Sequence, residues 1–124
     1  MQSVLGYGDG VNAPGIQGIG DKVYVAAHNQ IRAHAKAYRL YEREFAAAQN
    51  GQVGITLNIE WAEPEDPSDP SHVETSDTYL QFMLGWFAHP VFVDGAYPDV
   101  MREKVGVNIE IRNRGTAEVA HLVI

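Results

Sequence analysis

Two carboxylates near the middle of the chain, Glu60 and Glu63, occupy positions that favour a functional role more than the positions of the other acidic residues do. They lie at and just beyond the end of an alternating apolar segment, which predicts a β-strand over 52–61. In a parallel barrel, functional side chains gather at the carboxyl ends of the strands. A pair of carboxylates placed across a sugar carries out glycoside hydrolysis, so this is the chemistry that these residues suggest. The competing interpretation is a rim carboxylate without a role.

The other acidic side chains have simpler explanations. Asp66 and Asp69 belong to an acidic loop over 62–70 that is punctuated by prolines. Glu74 follows Ser71 by three positions, a spacing that predicts a capping box at the start of a helix. These carboxylates are therefore expected to shape the backbone.

Metal, phosphate and nucleophile sites are disfavoured by residue spacing. The five histidines show no metalloprotease-like pattern, and His28 and His34 are six residues apart, which places them on different sides of a helix. The glycines of 6–10 superficially resemble a phosphate-binding loop, but no strand precedes them and no Gly-Lys-Ser/Thr follows. No G-x-S-x-G motif supports a serine nucleophile. We therefore predict neither a metal site nor a cofactor.

Composition narrows the class of protein further. The 124 residues carry a net charge of −7, with 16 acidic and nine basic side chains, which argues against a nucleic-acid partner. There is no cysteine, so disulfide frameworks and thiolate sites are excluded and the cellular compartment is left open. No apolar run approaches the ~18 residues that a membrane span requires. The chain is expected to be at most one globular domain.

The apolar periodicity predicts the elements that hold these residues. A helix is expected from Lys22 to about Asn50, after a glycine-rich loop over 6–20, with Asp21 as its N-cap. Gly51, free to adopt the left-handed conformation, would end that helix before the strand over 52–61. A helix leading through a tight turn into a strand indicates an α/β unit.

The sequence pattern of the second half of the chain predicts a further helix, followed by a loop, a helical turn and a β-hairpin. That helix would run from Ser71 to about Ala88 and end at Pro90. A loop over 91–98 and one helical turn over 99–104 would follow. Alternating apolar residues on either side of a turn predict a β-hairpin within 107–124.

Four sequence segments, in the same order as in the family, resemble glycoside hydrolase family 1, of the β-glucosidase and lactase-phlorizin type. They are Leu5–Gly10 with Ala13–Gly15, Ala27–Asn29 with His34–Ala35, Val53–Asn58 with Trp61 and Pro64, and Phe82–Phe87 with His89–Pro90, Tyr97–Pro98 and Met101. The resemblance implies a partial (β/α)8 TIM barrel, from the end of strand four to the region after helix five, with two long helices flanking one strand. Residues 1–106 would be this barrel fragment, and 107–124 a tail that does not match the family.

The resemblance also implies an activity and its absence from this chain. The family hydrolyses β-glycosides with retention, using an acid/base glutamate in an N-E-P motif after strand four and a nucleophile in a T-E-N-G motif after strand seven. N-E-P would fall just ahead of Met1, and T-E-N-G occurs nowhere in the sequence. Ala62-Glu63-Pro64 follows strand five and is not the N-E-P motif. We therefore assign no catalytic residue and predict that the chain alone is inactive.

The resemblance implies that this chain retains some of the residues that contact the substrate. Asn58 and Glu60 match positions at the strand-five rim that border the aglycone subsite, although the family often has an amide where Glu60 stands. A carbohydrate, the β-glycoside of the intact parent, is the implied partner.

Two other interpretations stay open. Klotho-type receptors reuse this barrel without a full pair of carboxylates, which makes a non-catalytic binding module the main alternative. A truncated gene product that forms no stable protein is the other, because the chain starts abruptly and ends in an unrelated tail. An isolated strand over 52–61 would also expose two unpaired edges, so self-association is expected.

Overall fold

A computed structural model of the protein describes residues 2–17 and 21–105, which belong to two compact units, Met1–Gly54 and Ile55–Ile124. Within the described residues every regular element is helical. The predicted β-hairpin within 107–124 lies outside these residues, as does the whole of that predicted tail. None of the described helices is both long and apolar enough to cross a membrane.

The first unit is built from helices α1 (Gln2–Tyr7), α2 (Asp21–Glu44) and α3 (Ala46–Gln49). Helix α1 packs against α2, whose buried face is formed by Ala27, Ile31 and Ala35 at steps of four residues. The long helix was therefore predicted correctly from its periodicity. It begins at Asp21 itself, one residue earlier than predicted.

The start of the chain differs from the predicted loop, because residues up to Tyr7 form α1. The helix closes where the amides of Gly8 and Asp9 both donate to Val4 O, at 2.8 and 3.0 Å. A Cβ on Gly8 would lie 2.7 Å from that same carbonyl oxygen. Glycine is thus needed to end this helix, and only its last two residues, Gly6 and Tyr7, fall within the loop predicted over 6–20.

Helix α2 ends in a way that the sequence only partly predicted. It stops at Glu44, and after Phe45 (φ −126°) the short helix α3 continues to Gln49. The left-handed residue is Asn50, at φ 48° and ψ 38°, and not Gly51. Gly51 serves a different purpose: a Cβ there would lie 2.6 Å from the hydroxyl oxygen of Tyr41.

The predicted strand over 52–61 is not formed, since no regular element is assigned from Asn50 through Pro64. Its side chains still alternate: Val53, Ile55 and Leu57 are half-buried while their neighbours are exposed. Alternation satisfies only one condition for a strand, because a β-ladder also needs a second strand to exchange hydrogen bonds. The described residues supply none, so the predicted α/β class appears here as helices and an irregular segment.

The second unit contains α4 (Pro70–Leu80), a π-helical turn (Gln81–Gly85), α5 (Trp86–Phe92) and α6 (Asp99–Lys104). The predicted capping box at Ser71 was wrong. Asp69 is the N-cap, and its Oδ1 accepts hydrogen bonds from the backbone nitrogen and the hydroxyl of Ser71, each at 2.8 Å. Pro70 at the first helical position favours this start, because its missing N–H would have been unpaired there.

The predicted stop at Pro90 was also wrong, whereas the helical turn over 99–104 is confirmed. Pro90 lies inside α5, which continues to Phe92. Proline removes one helical hydrogen bond, but Pro90 is buried together with Trp86 and Val91. We attribute the continuation of the helix to the burial of these three side chains, which compensates for the missing bond.

Candidate functional site

The candidate site lies on the irregular segment that precedes α4, with Glu60 at its centre. The Tyr79 hydroxyl, near the end of α4, donates a 2.7 Å hydrogen bond to Glu60 Oε2. This hydrogen bond, and the negative charge of the carboxylate behind it, raise the pKa of Tyr79. The side chain of Glu60 remains exposed, so it is oriented from one side and open to solvent on the other.

Asn58 is the second predicted binding residue and is also exposed. It precedes Glu60 by two positions, and residues 58–61 are all exposed. The structure therefore leaves both Asn58 and Glu60 accessible, on a segment without a β-ladder.

Two further contacts fix the residues that follow Glu60. The hydroxyl of Ser76 donates to Ala62 O at 2.7 Å, and the indole N–H of Trp61 donates to Glu63 Oε1 at 3.1 Å. Ser76 precedes Tyr79 by three positions on α4, so both hydroxyls leave the same face of that helix. We call residues 58–63 the rim segment; α4 holds it at two points.

Sequence reasoning missed Tyr79 and Ser76. The available signal was a pair of hydroxyl side chains three positions apart on the helix that follows the loop. That spacing indicates a common face, but it does not indicate what the face contacts.

The chemistry of the rim segment is that of hydrogen-bond acceptance. Both Glu60 and Glu63 are exposed and already accept a hydrogen bond from a neutral donor. A general acid in a glycosidase sits instead in an apolar pocket that stabilises its protonated form. Exposed, oriented carboxylates suit the recognition of ligand hydroxyl groups better than proton transfer.

Three of the described histidines have defined surroundings. Burial, followed by the nearby positive charge of Arg32, lowers the pKa of His28 on α2. His72 Nδ1 accepts a hydrogen bond from the Asp66 amide at 3.2 Å, and His89 Nδ1 lies 3.0 Å from Ala96 O. Residues 2–17 and 21–105 contain no group of three or more His, Asp or Glu side chains placed to hold a metal ion.

A cleft of about 510 Å³ lies elsewhere, in the first unit. Its walls come from α1, α2 and the loop between them, and include Tyr7, Ile16 and Val25. No rim-segment residue lines this cleft, so its volume says nothing about the chemistry of Asn58 and Glu60.

The sequence pattern of glycosyl hydrolase family 1 matches residues 1–121 of the chain. Rat "Lactase/phlorizin hydrolase" is 50% identical over 101 residues, which are 81% of this chain and 5% of that protein. Human "Klotho" is 45% identical over 100 residues, 81% of this chain and 10% of that protein.

Solved structures agree with these sequence matches. The β-glucosidase from Trichoderma harzianum superposes with a TM-score of 0.87 at 34% sequence identity, over 98% of this chain and 26% of that protein. The chain thus spans about a quarter of that enzyme's length and a smaller part of the two animal proteins. The family match over almost the whole chain, supported by this superposition, identifies the protein as a member of glycosyl hydrolase family 1.

Proposed function

We propose that the chain is a segment of a retaining β-glycosidase barrel and contributes the part that borders the aglycone. The Asn58 amide would accept hydrogen bonds from substrate hydroxyl groups and donate to them, whereas the Glu60 carboxylate would only accept. The observation that carries this proposal is the Tyr79–Glu60 hydrogen bond of 2.7 Å, which fixes an exposed carboxylate in one orientation. A binding group that is held before the ligand arrives loses less conformational entropy when it binds.

The same reasoning extends to the fold. In a closed (β/α)8 barrel, the segment over 52–61 would pair with neighbouring strands, and its half-buried Val53, Ile55 and Leu57 would face one layer. Residues 1–106 would form this part of the barrel, and the family match extends through residue 121. Alone, the unpaired segment would associate with other copies, so we expect oligomers in size-exclusion chromatography. A monomer with a sharp melting transition would contradict this.

We further propose that the 124-residue chain does not hydrolyse glycosides. Retaining hydrolysis needs an acid/base and a nucleophile on opposite sides of the sugar, and the N-E-P and T-E-N-G motifs that carry them are absent from this sequence. The test is release of the chromophore from an aryl β-glucoside by purified chain. We expect no rate above buffer; a rate proportional to chain concentration would overturn the proposal.

Sugar binding can be tested separately from hydrolysis. Calorimetric titration of the full chain with a β-linked glucose disaccharide, whose second sugar supplies aglycone hydroxyl groups, should show binding that Asn58→Ala and Glu60→Ala each weaken roughly 2- to 12-fold, the range for one hydrogen bond. Glu63→Ala is the matched control, because it removes an exposed carboxylate of the same rim segment that the proposal does not assign to the ligand, and it should leave affinity unchanged. Equal losses in all three variants would indicate a structural effect.

A second candidate is a non-catalytic, klotho-like binding module. The 45% identity to human Klotho over 100 residues favours it as a specific alternative. Sequencing the transcript through both ends of the reading frame separates the two. An in-frame N-E-P upstream and T-E-N-G downstream would support the glycosidase, whereas a substituted glutamate in the first motif would support the binding module. Stop codons at both ends would mean a remnant without catalysis.

A further inference from the structure

Asn50 and Gly51 form the junction after α3, and both residue types suit the backbone there. Asn50 adopts the left-handed conformation (φ 48°, ψ 38°), which asparagine tolerates better than most residues. A Cβ on Gly51 would lie 2.6 Å from the hydroxyl oxygen of Tyr41, so a larger residue would require the Tyr41 side chain to shift. The geometry therefore favours asparagine followed by glycine at this turn.

That dipeptide is chemically vulnerable because glycine has no Cβ to shield its backbone nitrogen. The nitrogen of Gly51 can attack Cγ of Asn50, forming a cyclic imide. The bond from Cγ to the side-chain nitrogen breaks, and that nitrogen leaves as ammonia with the proton released from the Gly51 amide. Water then opens the imide at either carbonyl and yields aspartate or isoaspartate.

Tyr41 contacts the attacking nitrogen. The N–H of Gly51 donates a 2.8 Å hydrogen bond to Tyr41 Oη, which holds the amide in place and opposes loss of its proton. The turn opens readily, however, because α3 has only four residues and none of them is buried. Short, exposed elements of this kind unfold locally at low free-energy cost.

We propose that Asn50 is a site of spontaneous deamidation, with water as the co-reactant, and that Tyr41 sets its rate by holding the Gly51 amide. The reaction proceeds from the opened turn. Its product adds a negative charge at the carboxyl end of α3, where the helix dipole disfavours anions. Isoaspartate also inserts an extra main-chain carbon directly ahead of the segment over 52–61.

The test follows the full chain during incubation in mildly alkaline buffer at physiological temperature. Proteolysis and mass spectrometry with chromatographic separation then quantify asparagine, aspartate and isoaspartate at each site. Asn12, Asn29 and Asn58, which are followed by alanine, glutamine and isoleucine, are internal controls. We expect Asn50 to react fastest. Tyr41→Phe should accelerate it roughly 2- to 12-fold, as expected for the loss of one hydrogen bond.

Tyr38→Phe is the matched variant, since it removes a hydroxyl from the same helix without touching Gly51, and it should leave the rate unchanged. An Asn50 that reacts no faster than the internal controls would overturn the site. Equal rates in the native chain and Tyr41→Phe would overturn the role of Tyr41. If Tyr41→Phe loses helical circular dichroism, hydrogen exchange of the Gly51 amide is measured in the native chain instead. Protection of this amide supports the hydrogen bond to Tyr41. Exchange as fast as in an unstructured peptide refutes it.

Discussion

The hydroxyl of Tyr79 donates a 2.7 Å hydrogen bond to Glu60 Oε2, joining two residues nineteen positions apart. The hydroxyl of Ser76, one helical turn earlier, makes the corresponding bond to Ala62 O at 2.7 Å. Helix α4 therefore orients the rim segment through side chains, without a β-ladder in the described residues. The position of Glu60 depends on the helix that follows it.

Replacing Glu60 should change the titration of Tyr79. The carboxylate accepts the phenolic proton and so raises the pKa of Tyr79. In Glu60→Gln the negative charge is gone, and we expect the pKa of Tyr79 to fall toward its ordinary value of about 10. The ultraviolet titration difference between each protein and its Tyr79→Phe counterpart isolates this phenol. Glu63→Gln should leave it unchanged; an equal shift in both variants would contradict the pairing.

Stability should decline in strongly alkaline solution because of Tyr97. Burial raises the pKa of Tyr97 to about 12, whereas an unfolded tyrosine titrates near about 10. Between these values the unfolded state binds fewer protons, so stability is fully present below about pH 10 and is lost as pH rises toward about 12. The loss is on the order of 2–3 kcal/mol. Tyr97→Phe should remove this part of the pH dependence in urea unfolding; an unchanged slope would exclude Tyr97 as its source.

His28 should produce an opposite trend on the acidic side. Burial and the charge of Arg32 lower the pKa of His28, so the folded state resists protonation more than the unfolded state does. The stabilising effect is present above about pH 6.5, the ordinary value, and is lost as pH falls through the lowered pKa. His28→Gln should flatten the dependence of the melting temperature on pH in this range. Identical profiles for native chain and His28→Gln would disprove the assignment.

The core of the first unit should be sensitive to the loss of Ile31, which is 1% exposed. Truncating a fully buried isoleucine to alanine removes its transfer free energy and leaves a cavity, so Ile31→Ala should lower the free energy of unfolding by about 2–5 kcal/mol. Val25→Ala, on the same helix but 48% exposed, should change it by much less. Urea unfolding monitored by circular dichroism measures both. Similar losses in the two variants would mean that α2 is not anchored through Ile31.

Local patterns predicted those elements that depend on neighbouring residues. Helix α2 follows from steps of three and four in apolar residues, and its buried face at Ala27, Ile31 and Ala35 confirms them. The start of α4 was misassigned because both Asp69 and Ser71 are good caps, and only the backbone selects between them.

The features that the sequence did not predict depend on contacts between residues far apart in the chain. The alternation over 52–61 describes a segment able to pair, but pairing requires a second strand that no local pattern supplies. Tyr79 and Ser76 were missed because their partners lie nineteen and fourteen positions away. The roles of Asn58 and Glu60 stay predictions, since their exposure is compatible with ligand contact but does not identify a ligand.

The π-helical turn at Gln81–Gly85 acts as a phase shift between α4 and α5. A π turn accommodates one extra residue, so each side chain after it is rotated by roughly 100° relative to an uninterrupted α-helix. Trp86, the first residue after this turn, is buried, while Phe87 is only half-buried. Deleting one residue from this turn would restore regular helical pitch but turn Trp86 toward solvent. Among relatives, this helix should therefore tolerate substitutions more readily than changes in length.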